Sequence, residues 1–152
     1  MEIKDAGEAL YIACEMEKRA IRLYERALAV FPDASCQEAI RAILRDERNH
    51  LIQFSQMGAA APGFERAQLL SAQASRVLFT GGLVEAQRKG AFDSEKKLYA
   101  YAADEEKDAV AQYSAFASKL TGSASAAFSA IAQEEGQHLK RLNELMDRAE
   151  EK

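Results

Sequence analysis

The sequence has few of the residues that interrupt or cross-link a chain. Its 152 residues include no tryptophan, two prolines, two cysteines and two histidines. So few prolines permit long uninterrupted helices. Cys14 and Cys36 are too few and too far apart for a disulfide framework or a Cys-x-x-Cys site. We therefore expect two reduced thiols, Cys14 at a core face and Cys36 near the start of a helix.

Three further absences exclude classes of protein. No apolar run approaches the roughly 20 residues of a membrane span. Charged residues also interrupt residues 1–19, where a signal peptide would carry its apolar region. The formal net charge of −4 leaves no basic stripe for nucleic acid. We therefore expect a cytoplasmic protein that binds neither membranes nor nucleic acid.

The abundant residues favour helix. Hydrophobic residues make up 48% and charged residues 29%, a balance typical of a soluble globular protein. The length fits one domain, residues 1–152, and we predict an all-α fold. Apolar residues repeat at helical spacing in four stretches, and Ser35 with Glu38 has the spacing of a capping box. The predicted helices span residues 5–31, 35–57, 93–120 and 123–150.

The connections between these helices predict a topology. Helix-breaking residues at 32–33 and 121–123 form two short connections, each of which would join its two helices as an antiparallel hairpin. The crossover between them, residues 58–92, is long and contains short helical pieces at about 64–78 and 83–90. It would return the chain to the opposite end of the bundle, as in a ferritin-like four-helix bundle. The alternative is an up-down-up-down bundle with a decorated loop.

The two halves of the chain repeat each other. A shift of 89 residues places the first predicted helix on the third, so that Glu17 coincides with Glu106 and Tyr24 with Tyr113. A shift of 88 residues places the second helix on the fourth. That shift matches two Glu-x-x-His motifs, formed by Glu47 with His50 and by Glu135 with His138. The chain therefore resembles a duplicated helical hairpin.

The repeated acids lie on the apolar faces of their helices. One Glu-x-x-His alone is typical of a solvated surface pair, but here two copies each accompany a repeated glutamate. All four glutamates lie 12 to 16 residues from the nearest tight turn, which places them at about one level of the bundle. Burying four carboxylates together is costly unless a counter-charge lies among them. The pattern therefore predicts a metal centre.

One glutamate from each of two helices and Glu-x-x-His from the other two is the ligand set of ferritin-like dimetal carboxylate proteins. The candidate ligands are Glu17, Glu47, His50, Glu106, Glu135 and His138. Two divalent ions would neutralise the four carboxylates. Mixed oxygen and imidazole ligands suit iron or manganese better than structural zinc. We expect two iron ions, with manganese or a mixed pair as the alternative.

Four residues beside the candidate ligands have two interpretations each. Tyr24 and Tyr113 are either plain core aromatics or hydrogen-bond donors to ligand carboxylates. Asp46 and Glu134 are either solvated charges or acceptors for the free ring N–H of a histidine in the opposite hairpin. The second interpretation, which we prefer, pairs Asp46 with His138 and Glu134 with His50.

The ordered motifs EKRAIRLY, DERNH, EKDAVAQY and EEGQH resemble the rubrerythrin branch of the ferritin-like superfamily over residues 5–150. The resemblance implies that Glu17 and Glu106 are terminal ligands, that Glu47 and Glu135 bridge the metals, and that each histidine serves one metal. It also implies cycling between diferrous and diferric states in reaction with hydrogen peroxide or dioxygen.

Two departures from the family pattern bear on activity. Full-length rubrerythrins carry a rubredoxin-like domain with four cysteines, whereas this chain has two. A separate donor, such as a rubredoxin-type protein, or a small molecule would therefore have to supply electrons. Those proteins also carry an extra glutamate where this chain has Ala109, which leaves a six-ligand set and puts efficient peroxidase activity in question.

The sequence favours a di-iron peroxidase or oxidase. The alternatives are ferroxidase-type iron binding for storage or detoxification, and a structural bundle whose metal only secures the fold. A homodimer is also expected, because the crossover has more apolar residues than a short loop should hide. Those residues are Leu69, Leu70, Val77, Leu78, Phe79, Leu83 and Val84.

Overall fold

The computed structural model describes residues 2–70 and 82–149, and this part of the chain is helical with no strand. Its helices are α1 (Ala6–Val30), α2 (Ala34–Ala59), α3 (Gly82–Arg88), α4 (Glu95–Lys119) and α5 (Gly122–Arg148). Residues 64–70 are also helical, and the rest of the predicted piece at 64–78 lies outside the described residues. Every helix among the described residues is too short or too polar to cross a membrane.

Side-chain caps determine where the long helices begin. The carboxylate of Asp5 accepts the backbone N–H of Glu8 at 2.8 Å, and Ser94 caps α4 in the same way. The expected cap at Ser35 is wrong by two residues. Asp33 is the cap, and its carboxylate accepts the N–H groups of Ser35 and Cys36. One carboxylate thereby satisfies two N–H groups that the first turn of a helix leaves unpaired.

The long helices form two antiparallel pairs. In the first pair, the amide of Gln37 donates to the carbonyl of Leu28 near the turn, whereas Cys14 lies 3.6 Å from Ser55 at the far end. In the second pair, the hydroxyl of Ser125 donates to the carbonyl of Ala117 near the turn between α4 and α5. α1 packs mainly on α2, and α4 mainly on α5.

Contacts between the pairs give their relative direction. Tyr24 of α1 meets Glu106 of α4, and Tyr113 of α4 meets Ala13 of α1, so these two helices are antiparallel. α2 and α4 consequently run in the same direction. This is the direction expected of a chain that crosses the bundle between α2 and α4.

A polar layer divides the core into two apolar clusters. One cluster includes Leu98 and Leu142, and the other includes Phe54, Tyr113 and Phe128, whose rings lie within 6 Å of each other. In each long helix, the buried charged residues fall between the positions that belong to the two clusters. The layer therefore lies at one level of the bundle.

Several apolar residues of the crossover are solvent-exposed. Leu69, Leu70 and Val84 have exposed fractions of 62%, 52% and 71%. Val77, Leu78 and Phe79 lie outside the described residues. The homodimer remains a prediction.

Candidate metal centre

All six candidate ligands lie in the polar layer and are buried. Their exposed fractions are between 1% and 5% for Glu17, Glu47, His50, Glu106, Glu135 and His138. Helical spacing explains why each histidine lies in the same layer as a glutamate of its own helix, because a Glu-x-x-His pair directs both side chains to the same face. The lone glutamates of α1 and α4 meet them from the opposite side.

The six side chains form two overlapping groups, each of which could hold a metal ion. The first group is Glu17, Glu47, His50 and Glu135, and the second is Glu47, Glu106, Glu135 and His138. Within a group, one ligand atom from each residue lies within 4.8 Å of the others. Glu47 and Glu135 belong to both groups. Each of them could therefore contribute a ligand atom to both positions.

Distances within the groups suit a shared cation. The Nδ1 atom of His50 lies 3.1, 3.3 and 3.5 Å from carboxylate oxygens of Glu135, Glu47 and Glu17. The Nδ1 atom of His138 lies 3.4 Å from oxygens of both Glu47 and Glu135. Ligand atoms held about 2.1 Å from one ion lie roughly 3 to 3.5 Å apart.

Unpaired polar atoms provide a further test of the fit. Among the described residues, the buried side-chain nitrogen and oxygen atoms without a hydrogen-bond partner come from these six residues, one from each. They are Oε2 of Glu17, Oε1 of Glu47, Nδ1 of His50, Oε2 of Glu106, Oε1 of Glu135 and Nδ1 of His138. Leaving a polar atom buried and unpaired costs about 1 to 3 kcal/mol, more if charged. Metal ions would pair these atoms.

Each histidine has a carboxylate partner on its outer side. Nε2 of His138 lies 3.0 Å from Oδ2 of Asp46, and Nε2 of His50 lies 3.3 Å from Oε2 of Glu134. These are the pairs expected from the sequence. An ionised carboxylate only accepts, so Nε2–H donates and the lone pair of a neutral imidazole is at Nδ1, facing the glutamates. Both carboxylates are also partly exposed to solvent.

The two tyrosines connect the hairpins. The hydroxyl of Tyr24 on α1 donates to Oε1 of Glu106 on α4 at 2.6 Å. The hydroxyl of Tyr113 on α4 donates to Oε1 of Glu17 on α1 at 3.1 Å. Both rings are 1% exposed, so each tyrosine packs in the core and also orients a candidate ligand of the other hairpin.

Removing one tyrosine hydroxyl should weaken one metal position more than the other. Tyr24→Phe should lower the affinity of the group that contains Glu106 by about tenfold, because partners that orient a ligand typically contribute 10- to 100-fold. Tyr113→Phe should do the same to the group that contains Glu17. Titration with cobalt(II) against a competing chelator measures both affinities.

The matched control is Tyr99→Phe, because Tyr99 is also on α4 but its hydroxyl contacts Glu95, outside the centre. Equal affinities in all three variants and the parent protein would show that the tyrosines do not orient ligands.

Comparisons with known proteins do not assign the chain to a family. Protein-family models, curated proteins and solved structures were compared with the chain, and none matches.

Burial and mutual repulsion alter the protonation of the metal-free centre. Burial raises the pKa of Glu17 well above its ordinary range, and the charge of Glu47 raises it further. Burial also raises the pKa of Glu106, to about 7, against the lowering effect of His138, whose Nδ1 lies 3.7 Å from the carboxylate. Burial lowers the pKa of His50, but the carboxylates of Glu135, Glu17 and Glu47 beside its ring favour the protonated form more strongly and raise the pKa to about 12. The metal-free centre thus holds protons that cations must displace.

The free energy of unfolding of the metal-free protein should fall as pH rises from about 5 to 8. Glu106 has a folded pKa of about 7 against an ordinary value of 4.5. Protonation of Glu106 in the folded state therefore stabilises the fold. This stabilisation is fully present below the ordinary pKa and is lost as pH rises through the pKa of the folded state, a change on the order of 3 kcal/mol. His50 acts in the same direction, complete below pH 6.5 and lost as pH rises toward about 12. Urea unfolding of chelator-treated protein across this range measures the effect.

Glu106→Gln should make this pH dependence shallower, because the amide does not titrate. Metal binding should have the opposite dependence, with affinity increasing with pH as competition from protons decreases. A metal-free protein that becomes more stable between about pH 5 and 8 would contradict the assignment of protons to the centre.

The sequence did not reveal a cavity that reaches the centre. The cavity lies between α1 and α4, has a volume of about 220 Å³, and is bordered by Glu17 and Glu106. Ala20 and Ala109, three residues after these glutamates, also line it. The signal available in the sequence was this pair of small residues at equivalent places in the repeat.

Proposed function

We propose that the protein is a di-iron carboxylate oxidoreductase of rubrerythrin type that reacts with hydrogen peroxide or dioxygen. The main support is the pair of overlapping ligand groups that share Glu47 and Glu135. The opposite directions of α1 and α4, and the parallel direction of α2 and α4, support a ferritin-like arrangement of a single domain. The motifs that resemble rubrerythrin coincide with the helical segments that carry these ligands.

The charge and chemistry of the ligands favour two ferrous ions. Four carboxylates carry −4, which two divalent ions would neutralise, and each group offers three carboxylates and one imidazole. When bound, two ferrous ions would together supply the two electrons that reduce one peroxide to water. Glu17 with His50 would hold one ion and Glu106 with His138 the other, while Glu47 and Glu135 would contribute to both.

The residues around the cavity would position the oxidant and hold protons for it. Reduction of peroxide to two waters consumes two protons. Tyr24 and Tyr113 border the cavity, and each holds a hydroxyl proton against a ligand carboxylate. Asp46 and Glu134 fix the outer Nε2–H of each histidine, which keeps Nδ1 directed at the centre.

We propose that electrons come from a separate donor, such as a rubredoxin-type protein or a small molecule. Cys14 and Cys36 are both buried and lie on different helices, so they do not form an iron–sulfur site of the Cys-x-x-Cys kind. We further propose that the protein acts in the cytoplasm as a homodimer.

Anaerobic loading with iron(II), followed by one equivalent of peroxide per chain, tests the proposal. We expect two irons per chain and the disappearance of one peroxide per pair of irons, with the near-ultraviolet absorption of ferric ions. Iron oxidation that stops after one turnover, even with an added reductant, would instead indicate ferroxidase-type iron binding. Peroxide loss no faster than with free iron(II) would overturn both.

A further inference from the structure

The cavity between α1 and α4 is larger than an oxidant of two heavy atoms requires. Its volume is about 220 Å³. Its lining includes the candidate ligands Glu17, Glu47, Glu106 and Glu135, so metal ions and an oxidant would take part of this volume. An engineered cavity of about 150 Å³ binds benzene, so a ring of that size would leave about 70 Å³ for the metal ions and an oxidant. The volume therefore fits a molecule built on one aromatic ring.

The two walls of the cavity differ in chemistry. On the α1 side, Ile12, Met16 and Leu23 form an apolar patch beside Arg19. The α4 wall carries Glu105 and Gln112, which offer hydrogen-bonding groups. A thioether such as that of Met16 makes favourable contacts with aromatic rings. The walls therefore suit a ring on the α1 side and one polar group on the α4 side.

The charges around the cavity disfavour an anion. Arg19 contributes the positive charge of the lining, and its guanidinium lies 3.6 Å from the carboxylate of Glu105. Asp108 also lines the cavity, so a metal centre whose carboxylates are neutralised would leave a net charge of about −1 around it. A neutral ligand avoids this repulsion.

We propose that this cavity binds a small neutral molecule made of one aromatic ring and one hydroxyl or amide group, beside the metal centre. The ring packs on Met16 and Leu23, and the polar group hydrogen-bonds on the α4 side. Ala20 and Ala109 leave the space open because their side chains end at a single methyl group. The location beside a metal centre rests on the proposed function, whereas binding of the ring rests on the cavity alone.

Benzyl alcohol is the probe, and the methyl group of Met16 is the reporter. The sequence contains four methionines, so protein labelled with 13C at the methionine methyls gives few signals, and Met16→Leu identifies the one from Met16. Benzyl alcohol added to zinc-loaded protein should shift this signal saturably, because an aromatic ring changes the field at nearby nuclei. Absence of any saturable shift would overturn the proposal.

A pair of variants tests the location. Ala109→Leu extends a side chain into the cavity and should weaken binding of the probe by at least about tenfold. Ala111→Leu is the matched control, because Ala111 is on the same helix but exposed, and it should bind as the parent does. Equal binding by Ala109→Leu and the parent would overturn the proposal.

Running the titration with and without zinc separates the two hypotheses. A Met16 response in protein that binds no metal would leave the cavity site intact and count against the metal centre. Two bound metal ions without a Met16 response would support the metal centre and overturn the cavity site.

Discussion

Glu47→Gln should abolish tight binding of both metal ions, whereas Glu17→Gln should remove one. Glu47 belongs to both ligand groups and Glu17 to the first alone. Replacing a carboxylate with an amide removes one unit of negative charge from the surroundings of each ion that the side chain contacts. At 4 Å and an effective dielectric of 20, a pair of unit charges contributes about 4 kcal/mol, or roughly three powers of ten in affinity. Metal analysis after dialysis against a weak chelator measures the number of ions retained.

The matched control is Glu38→Gln, because Glu38 is exposed on the same helix α2. It should retain the same number of ions as the parent protein. Glu106→Gln should retain one ion, as Glu17→Gln does, but from the other group. If Glu47→Gln retained one ion, the bridging position of Glu47 would be wrong.

The second large effect concerns stability. Adding divalent metal at about a thousand times its dissociation constant should raise the melting temperature by roughly 15 to 30 °C. Each ion bound to the folded state alone contributes about 4.1 kcal/mol under that condition, so two contribute about 8 kcal/mol. A chain of this length gains about 2 to 4 °C for each kcal/mol. Calorimetry with manganese(II), compared with chelator-treated protein, measures the shift.

The Glu47→Gln variant should show little of this shift, although its metal-free form should still fold. Replacing a buried carboxylate among three others removes repulsion and reduces the cost of burial. A metal-dependent shift of the same size in Glu47→Gln and in the parent would mean that the stabilising ions bind elsewhere.

The candidate ligands were predictable because helical periodicity and chain duplication constrain them independently. The Glu-x-x-His spacing at Glu47 and His50 predicts that both side chains share a face, and the apolar neighbours predict which face. The repeat then brings Glu135 and His138 to the same level. The pairing of Asp46 with His138 followed from the same two constraints. The all-helical fold was predictable for a similar reason, since its long helices have strong periodic patterns.

The cavity could not be predicted, because it depends on how far apart α1 and α4 lie. Helical spacing places Ala20 and Ala109 beside the ligands, but it does not say whether other side chains fill the space that they leave. The cap of α2 was mistaken for a related reason. Both Asp33 and Ser35 are good caps, and the backbone path after Pro32 decides which of them faces the free N–H groups.

Tyr24 and Tyr113 occupy equivalent positions in the repeat and make equivalent contacts across the hairpins, with Glu106 and Glu17. Two identical hairpins, related by a two-fold axis, would form the same ligand set, but both walls of the cavity would then have to be identical. Joining the hairpins in one chain removes that requirement. Positions separated by the repeat of 89 residues show the result: Met16 corresponds to Glu105, and Leu23 to Gln112. The fused chain keeps a symmetric centre while its two walls differ, which allows a bound molecule to have one orientation.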